Sequence, residues 1–306
     1  YMNILVTGHS GFLGGAIANS LANWHMDKHR VYGVSRFTIP DCSYHQFSAD
    51  INDSETIRRL VSEKAIDMIV HTAAKPIVSD CDKDPYAAFE VNMLGTVSVL
   101  EAARRANVKK VICIQTDKVY GYQTVMPTPE TAVLNPGSPY EASKAMGAQI
   151  CELYRNLYGM NIIGVRPVNI FGPGDKAYSR IIPGAMKAFS EGRGITVYSN
   201  AVKMKREFIY IYDVVEMIER LLFNDTKEHT YNFSSGVMKE IGAMAEEITD
   251  ICGHSVRPVI IEKPGTFSEI PDQVIDGSRF NKEFPDHAYT FFDAAIKETF
   301  KRFMNE

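Results

Sequence analysis

Short apolar runs alternate with longer amphipathic stretches along the first half of the chain. Runs of strand length lie at residues 3–7, 30–35, 47–51, 67–71 and 110–115, and the segments between them include stretches with helical spacing. Strands that alternate with helices in this way are typical of a parallel sheet covered by helices on both faces. We therefore predict an α/β fold with a doubly wound parallel sheet.

The second half continues with mixed patterns and no linker composition. It predicts helices at 140–158, 179–191, 213–223, 240–252 and 290–303, and strands at 161–166, 195–199, 230–233 and 256–261. Since no proline-rich or glycine-rich boundary separates two blocks, we expect two interleaved lobes. Residues 1–168, with 205–235 returning to them, would form the larger lobe. Residues 169–204 and 236–306 would form a smaller α+β lobe that binds substrate.

A glycine-rich segment follows the first strand directly. Residues 3–7 lead into Gly8-His9-Ser10-Gly11-Phe12-Leu13-Gly14, and a helical pattern then runs to about Trp24. In this order glycines permit a tight turn, and the helix N-terminus offers free N–H groups to a phosphate. An ordinary loop before a helix is the alternative interpretation, but the flanking strand and helix favour a Rossmann dinucleotide site. The expected cofactor contacts there are Gly8, Ser10, Gly11, Phe12, Leu13 and Gly14.

Residues at the ends of the next strands extend this predicted cofactor site. Dinucleotide folds that bind NAD usually carry an acidic residue after the second strand, whereas this chain has Arg36. A guanidinium suits a 2′-phosphate, so we favour NADP over NAD, with a solvated surface arginine as the alternative. The further cofactor contacts that we expect are Asp50, Ile51, Ala73, Ala74, Lys75 and Asn92. We interpret His71 as structural.

The stretch from Gln115 to Lys144 concentrates reactive side chains. Thr116, Asp117 and Lys118 follow the fifth strand, and Tyr140 and Lys144 are spaced to share one face of a helix. A lysine ammonium beside a phenol favours the phenolate, so we expect a lowered pKa for Tyr140 and a usable base.

Composition excludes several classes of protein. The chain has 306 residues and a net charge of −4, which gives no reason to expect a nucleic-acid or acidic-membrane partner. The five cysteines lie far apart without metal-ligand spacing, so we predict reduced thiols and no metal site. No apolar run is long enough to cross a bilayer, and the chain starts with a strand rather than a signal peptide. These patterns predict a cytoplasmic protein.

Five motifs together resemble the extended short-chain dehydrogenase/reductase family, specifically its nucleotide-sugar branch. They are TGHSGFLG, HTAA, TDKVYG, YEASK and RPVNIFGPGD. The resemblance implies that Tyr140 is the catalytic tyrosine and also contacts the cofactor. It implies that Lys144 activates Tyr140 and binds the nicotinamide ribose, and that Thr116 contacts the sugar.

The Asp117-Lys118 pair indicates the reaction. Epimerases and reductases of the family usually have small or apolar residues there, and dTDP-glucose 4,6-dehydratases have Asp-Glu. Asp-Lys is similar to CDP-glucose 4,6-dehydratases and to enzymes that dehydrate UDP-N-acetylglucosamine. The resemblance thus implies an NADP-dependent nucleotide-sugar 4,6-dehydratase, a lyase, in which Lys118 removes the C5 proton and Asp117 protonates the departing 6-hydroxyl.

Other interpretations stay open from the sequence. An epimerase or a 4-ketoreductase of the same family is the first alternative, and a non-catalytic NADP-binding regulator is the second. The adjacent acid and lysine could also be a solvated ion pair. Gln115 stands where a small serine is more usual, and the chain is shorter than CDP-glucose dehydratases typically are. The nucleotide and the sugar are therefore left open.

The resemblance also implies substrate residues and a dimer. Asn169 and Arg206, in RPVNIFGPGD and REFIYIYD respectively, resemble the residues that bind the pyrophosphate, and Arg180 is a further candidate. A turn asparagine is the alternative for Asn169. The helices near 84–106 and 140–158 correspond to the usual dimer surface of the family, so a homodimer is expected.

Overall fold

The computed structural model describes residues 1–24, 29–262 and 272–305. A sheet of seven parallel strands lies at its centre. These strands are β1 (Met2–Thr7), β2 (His29–Ser35), β3 (His45–Ser48), β4 (Met68–His71), β5 (Lys110–Ile114), β6 (Ile162–Pro167) and β10 (Thr230–Phe233). Their spatial order is β3-β2-β1-β4-β5-β6-β10, and the chain reverses direction across the sheet between β1 and β4. Ligands bind at such a reversal in doubly wound sheets, beyond the carboxyl ends of the strands.

Helices cover both faces of this sheet, and others pack against shorter strands outside it. They are α1 (Phe12–Trp24), α2 (Ser54–Glu63), α3 (Val78–Lys83), α4 (Pro85–Phe89), α5 (Gly95–Arg105), α6 (Pro139–Tyr158), α7 (Ile181–Ser190), α8 (Ile211–Phe223), α9 (Ile241–Ile251), α10 (Ser278–Glu283) and α11 (Phe292–Phe303). Because helices cover both faces, the strands between them are buried on both sides. In β1, Ile4, Leu5 and Val6 point alternately to opposite faces, and all three are fully buried.

Two smaller sheets lie beside the large one. The first contains β7 (Asn169–Phe171), β9 (Lys205–Tyr210), β11 (Met238–Glu240) and β13 (Asp272–Gln273), with β9 paired to the other three. The second pairs β8 (Thr196–Tyr198) with β12 (Val259–Ile261). Within the segment 205–235, β10 therefore joins the large sheet while β9 belongs to a smaller one.

Most predicted elements are present with ends shifted by a few residues. The predicted fold class, a doubly wound parallel sheet, is confirmed. The helix expected near 84–106 is not one continuous α-helix, because α4 and α5 are joined by a π-helical turn at Glu90–Leu94. The helix begins at Pro85, whose missing N–H suits the first turn, and the Asp84 carboxylate accepts a hydrogen bond from Ala87 N at 3.1 Å.

Candidate active site

The glycine-rich turn ties three strands together at the carboxyl edge of the sheet. Gly8 has a φ of +72° and donates from its N–H to the carbonyl of Val34 at 2.7 Å. A Cβ added at Gly8 would lie 2.8 Å from the backbone of Ala73, and one added at Gly14 would lie 2.3 Å from the carbonyl oxygen of Gly8. Side chains at either position would therefore displace backbone. The turn leaves Ser10 and Gly11 exposed at the N-terminus of α1, where a phosphate could bind.

The residues predicted to contact the adenosine half of the cofactor lie at the ends of β2 and β3. Arg36 is exposed directly after β2, with its guanidinium carbon 5.7 Å from the centre of the Phe37 ring. The Asp50 carboxylate is exposed and accepts a hydrogen bond from Asn52 N at 2.9 Å. Ile51 is buried. The Arg36 guanidinium is thus accessible to a ligand at this edge.

Asn92 links the predicted cofactor residues to helix α6. Its Oδ1 accepts from Lys75 N at 2.8 Å, while its Nδ2 donates to Lys75 O at 3.2 Å and to Ser143 Oγ at 2.9 Å. Ala73 N, nearby, donates to Thr7 Oγ1 at 3.2 Å. The side chain of Asn92 is therefore occupied in holding the segment after β4 against α6. Ala74 lies in this segment, half-buried.

His71 has a structural role. Its ring is hydrogen-bonded to the hydroxyls of Thr7 and Thr96, at 2.8 Å and 3.2 Å. Burial lowers the pKa of His71 to about 3. The imidazole is therefore neutral near neutral pH and serves as a link between β1, β4 and α5.

The predicted catalytic residues come from two segments that meet beyond the end of β5. Thr116 caps the 3₁₀ turn Asp117–Tyr120, because its Oγ1 accepts from Lys118 N at 3.3 Å and donates to Asp117 Oδ1 at 3.1 Å. Tyr140 and Lys144 lie on the first turns of α6, and Lys144 Nζ donates to the carbonyl of Ile114 at 2.6 Å. The two clusters that the sequence singled out are thus brought together.

Burial dominates the protonation of this cluster. It raises the pKa of the Asp117 carboxyl, an effect that the charge of Lys118 opposes but does not reverse. Desolvation lowers the pKa of Lys144 to about 8. The acid is therefore biased towards its protonated form, and Lys144 towards its neutral form.

One expectation for Tyr140 is wrong. We expected Lys144 to lower the phenol pKa, but burial raises the pKa of Tyr140 to about 12. A hydrogen bond with the Thr116 side chain and the positive charge of Arg180 both lower this pKa, but by less than burial raises it. The reason is that the phenol is 9% exposed and packs among apolar residues that include Ala88, while Lys144 donates to Ile114.

The three predicted substrate residues line one cavity. Asn169, Arg180 and Arg206 border it together with apolar side chains that include Phe208. Arg180 is held by the buried Asp175 carboxylate at 3.4 Å, and Asn169 Nδ2 donates to the carbonyl of Glu207 at 3.0 Å.

This cavity lies within electrostatic reach of the catalytic cluster. The charge of Arg180 lowers the pKa of Tyr140, and the charge of Arg206 lowers the pKa of Asp117. Both effects are smaller than that of burial, but they connect the two arginines with the phenol and the carboxyl.

Several buried polar residues around the site were not assigned by the sequence reasoning. The Glu207 carboxylate is 1% exposed and accepts from Ser234 Oγ at 2.5 Å and from Gly236 N at 2.8 Å. Ser143 Oγ donates to Tyr140 O at 2.8 Å. Ser143 could have been found from the sequence, because it lies three residues after Tyr140 on the same helix. The contacts of Glu207 could not, because Ser234 and Gly236 are 27 and 29 residues away in the chain.

The described residues contain neither a candidate metal site nor a candidate membrane span. No group of three or more His, Cys, Asp or Glu side chains in ranges 1–24, 29–262 and 272–305 could hold a metal ion. No helix in the same ranges is both long and apolar enough to span a membrane.

Known proteins similar to this chain include UDP-glucose 4-epimerases and, by fold, a dTDP-glucose 4,6-dehydratase. The UDP-glucose 4-epimerase of Mycolicibacterium smegmatis is 31% identical over 234 residues, which are 72% of this chain and 72% of that protein. The solved UDP-glucose 4-epimerase of Thermotoga maritima, in complex with UDP-glucose, superposes with a TM-score of 0.91 at 23% identity and covers 99% of both chains. The dTDP-glucose 4,6-dehydratase of Streptomyces venezuelae, solved with NAD bound, has a TM-score of 0.88 at 24% identity and covers 100% of this chain and 98% of that one.

The structural likenesses establish the fold, and the sequence matches establish the family. The model of the NAD dependent epimerase/dehydratase family matches residues 4–234, which include the glycine-rich turn and all the predicted catalytic residues. The predicted membership of the extended short-chain dehydrogenase/reductases is thereby confirmed: the chain belongs to the NAD dependent epimerase/dehydratase family.

Proposed function

We propose that the protein is a nucleotide-sugar 4,6-dehydratase, a lyase. The observation that carries the proposal is Asp117, a buried carboxyl with a raised pKa, directly followed by Lys118 and in contact with Thr116. An acid that keeps its proton can donate it to a departing hydroxyl, and a lysine beside it can act as a base. Hydride chemistry at a sugar hydroxyl alone needs neither group.

We propose a nicotinamide dinucleotide as cofactor, with NADP preferred. The tight turn, in which a Cβ at Gly8 or Gly14 would clash with backbone, leaves Ser10 and Gly11 exposed at the N-terminus of α1, where a pyrophosphate could bind. The exposed Arg36 would bind a 2′-phosphate, and Lys144 the nicotinamide ribose. When bound, the cofactor supplies the acceptor and donor of hydride.

The chain's own residues would move the protons. Tyr140 Oη would take the proton of the sugar 4-hydroxyl, helped by Thr116 and Arg180, which both favour the phenolate. A ketone at C4 acidifies the neighbouring C5–H, so Lys118 would remove that proton. Asp117 would protonate the 6-hydroxyl as it leaves as water, which leaves a double bond between C5 and C6. The hydride taken from C4 would return to C6, and Lys118 would return the proton to C5. The product is then a 4-keto-6-deoxy sugar, with no net consumption of cofactor.

The cavity bordered by Asn169, Arg180 and Arg206 would hold the diphosphate of the substrate. Arginine side chains suit this role because a guanidinium can donate two parallel hydrogen bonds to phosphate oxygens. The flanking Phe208 and Ile241 supply apolar surface.

A nucleotide-sugar epimerase is the second candidate. Thr116, Tyr140 and Lys144 suffice for oxidation and reduction at one carbon, and the M. smegmatis relative is named a UDP-glucose 4-epimerase. The two functions differ in whether the 6-hydroxyl is lost.

The deciding experiment is an incubation of the purified protein with UDP-, CDP-, GDP- and dTDP-hexoses, read by mass spectrometry. We expect a product lighter by one water from at least one of them, with no net consumption of cofactor. A product of unchanged mass with an inverted carbon would contradict the dehydratase and support the epimerase. Stoichiometric oxidation of NADPH would identify a 4-ketoreductase instead.

The Lys118→Met variant separates the steps. We expect it to oxidise C4 but to lower the rate of water loss by roughly 10²–10⁴-fold, since it lacks the base for C5. Lys203→Met, which changes a lysine whose side chain is 85% exposed, is the matched control and should behave as wild type. Undiminished water loss by Lys118→Met would exclude Lys118 as the base.

The cofactor preference is tested at Arg36. Loss of a charge-assisted hydrogen bond costs about 1.5–3 kcal/mol, so Arg36→Gln should weaken NADP binding by roughly tenfold to a hundredfold and leave NAD binding unchanged. Arg30→Gln, at the exposed opposite end of β2, is the control. Equal affinity of wild type and Arg36→Gln for NADP would contradict the preference.

We also propose that the protein is a homodimer formed through α6. Apolar side chains at helical spacing are exposed along this helix at Met146, Leu153 and Leu157. A stripe of this kind is typical of a helix that packs against a partner. Leu153→Glu should shift the sedimentation of the protein from dimer to monomer, and a monomeric wild type would contradict the proposal.

A further inference from the structure

A buried arginine holds both ends of the segment that carries Asp117 and Lys118. Arg166, near the end of β6, is 7% exposed. Its Nε donates to Gln115 Oε1 at 2.9 Å, and its Nη1 donates to Tyr120 Oη at 2.8 Å. We name Arg166, Gln115 and Tyr120 the Arg166 clamp.

Two residues of the clamp, Gln115 and Tyr120, lie on either side of Thr116, Asp117 and Lys118 along the chain. Gln115 comes directly before Thr116, and its N–H donates to Val165 O at 2.8 Å, which fixes it against β6. Tyr120 ends the 3₁₀ turn that begins at Asp117. One rigid guanidinium therefore joins the first and the last residue of the segment 115–120.

The far side of the clamp is fixed as well. Tyr120 is 1% exposed, and its Oη donates to Asn232 Oδ1 at 2.7 Å. The amide of Asn232 in turn donates to the carbonyls of Thr128 and Asp276 at 3.0 Å and 3.1 Å. Because each of these groups is hydrogen-bonded and buried, the position of the phenol is strongly determined.

A glycine makes room for the glutamine. A Cβ added at Gly164 on β6 would lie 2.3 Å from Nε2 of Gln115 and 2.9 Å from its Cδ. The side-chain amide of Gln115 thus occupies the space above Gly164. The unusual glutamine and this glycine form one packing unit.

We propose that Arg166 and Gln115 are positioning residues, which hold Asp117 and Lys118 in the orientation needed for loss of water from the sugar. The inference deepens the proposed dehydratase function and rests on it. Neither residue is assigned a contact with the substrate. Displacement of a reacting group by about 1 Å can cost roughly a hundredfold in rate, so a fixed turn at this point affects turnover directly.

The test compares Gln115→Leu with Gln115→Glu. Leucine removes the acceptor for Arg166, so we expect kcat to fall about tenfold to a hundredfold with an unchanged KM for the nucleotide sugar. Sugar that is oxidised at C4 but keeps its 6-hydroxyl should accumulate in single-turnover mixtures, seen by mass. Glutamate keeps an acceptor oxygen and should restore most of the lost kcat.

A double-mutant cycle with Gly164 gives an independent measurement. Gly164→Ala should push the Gln115 amide away from Arg166 and lower kcat in the wild-type background. In a Gln115→Ala background the same change should lower kcat no further, because the amide that it displaces is absent. Lys110→Met, at the other end of β5, controls for loss of stability alone.

The outcomes separate the two proposals. A wild type that removes water from no nucleotide sugar overturns both. A dehydrating wild type overturns the positioning role alone if Gln115→Leu keeps its kcat, if Gln115→Glu is as impaired as Gln115→Leu, or if Gly164→Ala lowers kcat equally in both backgrounds.

Discussion

Buried polar side chains lie at both ends of strand β5, with Lys110 at its start and Thr116 and Asp117 just beyond its last residue. At the amino end Lys110 is 5% exposed, and its Nζ donates to the carbonyls of Leu221 and Asn224 at 3.0 Å and 2.6 Å. These carbonyls belong to the end of α8, where a helix leaves its last acceptors without partners and favours a positive charge. The ammonium at this end is thus used to terminate a helix.

The carboxyl end of the same strand is different. Thr116 and Asp117 are also buried, but they hydrogen-bond to each other, and the charges of Lys118 and Arg206 act on the pKa of the carboxyl. At this end the polar side chains contact one another, and the cavity bordered by Arg180 and Arg206 lies within electrostatic reach of them. Burial of a charged group therefore does not identify an active site, whereas the nature of its partners does.

The largest effect is expected from a substitution in the cluster beyond the carboxyl end of β5. Tyr140→Phe removes one oxygen, the proposed base at the 4-hydroxyl, and should lower kcat by about 10²–10⁴-fold with little change in the thermal midpoint. Tyr154→Phe, on the same helix with its Oη 3.5 Å from Glu101 Oε2, is the matched control and should keep kcat. An unchanged kcat for Tyr140→Phe in steady-state kinetics would exclude Tyr140 as the base at the 4-hydroxyl.

A medium effect is expected at the amino end. Lys110→Met keeps the length of the side chain but removes the donor to the buried carbonyl of Leu221 and to the partly buried carbonyl of Asn224, so the free energy of unfolding should fall by about 1–3 kcal/mol while kcat is unchanged. Urea unfolding and kinetics measure both quantities. Lys109→Met is the control, because the Lys109 side chain is 66% exposed and its ion pair with Asp67 should contribute less than about 1 kcal/mol. A large loss of kcat in Lys110→Met would erase the distinction between the two ends.

The smallest effect concerns pH. The folded protein raises the pKa of Asp117 above its ordinary 3.8, so it holds a proton that the unfolded chain releases. The free energy of unfolding therefore falls as pH rises from 3.8 to the raised pKa, because the folded state binds more protons there. Asp117→Asn cannot titrate, so its stability relative to wild type should increase across that window and stay constant on either side. A difference independent of pH would contradict the raised pKa.

The sheet and its ligand-binding edge could be predicted from the sequence because both depend on local signals. Residues 3–7 are apolar at consecutive positions and are followed at once by glycines, and that order alone specifies strand, turn and helix. The short strands β7, β11 and β13 could not be predicted in this way. Each has two or three residues and is defined by pairing with β9, a partner distant in the chain.

The candidate site shows the same division. Spacing placed Tyr140 and Lys144 on one helix face, and motif order brought Thr116 and Asp117 to the same strand edge. The protonation of Tyr140 could not be read from spacing, because burial by residues of other segments outweighs a lysine four positions away. The contact of Gln115 with Arg166 spans 51 residues and left no local signal.

The position of β10 at the edge of the sheet affects the order in which a ribosome-bound chain can become active. Until residue 233 leaves the ribosome, β6 can pair only with β5, and its other edge is open to pairing with other chains. Asn232, which fixes the phenol of Tyr120, also arrives with β10. A nascent chain that already contains Tyr140 and Lys144 but ends before β10 would thus still lack the hydrogen bond that fixes the turn Asp117–Tyr120.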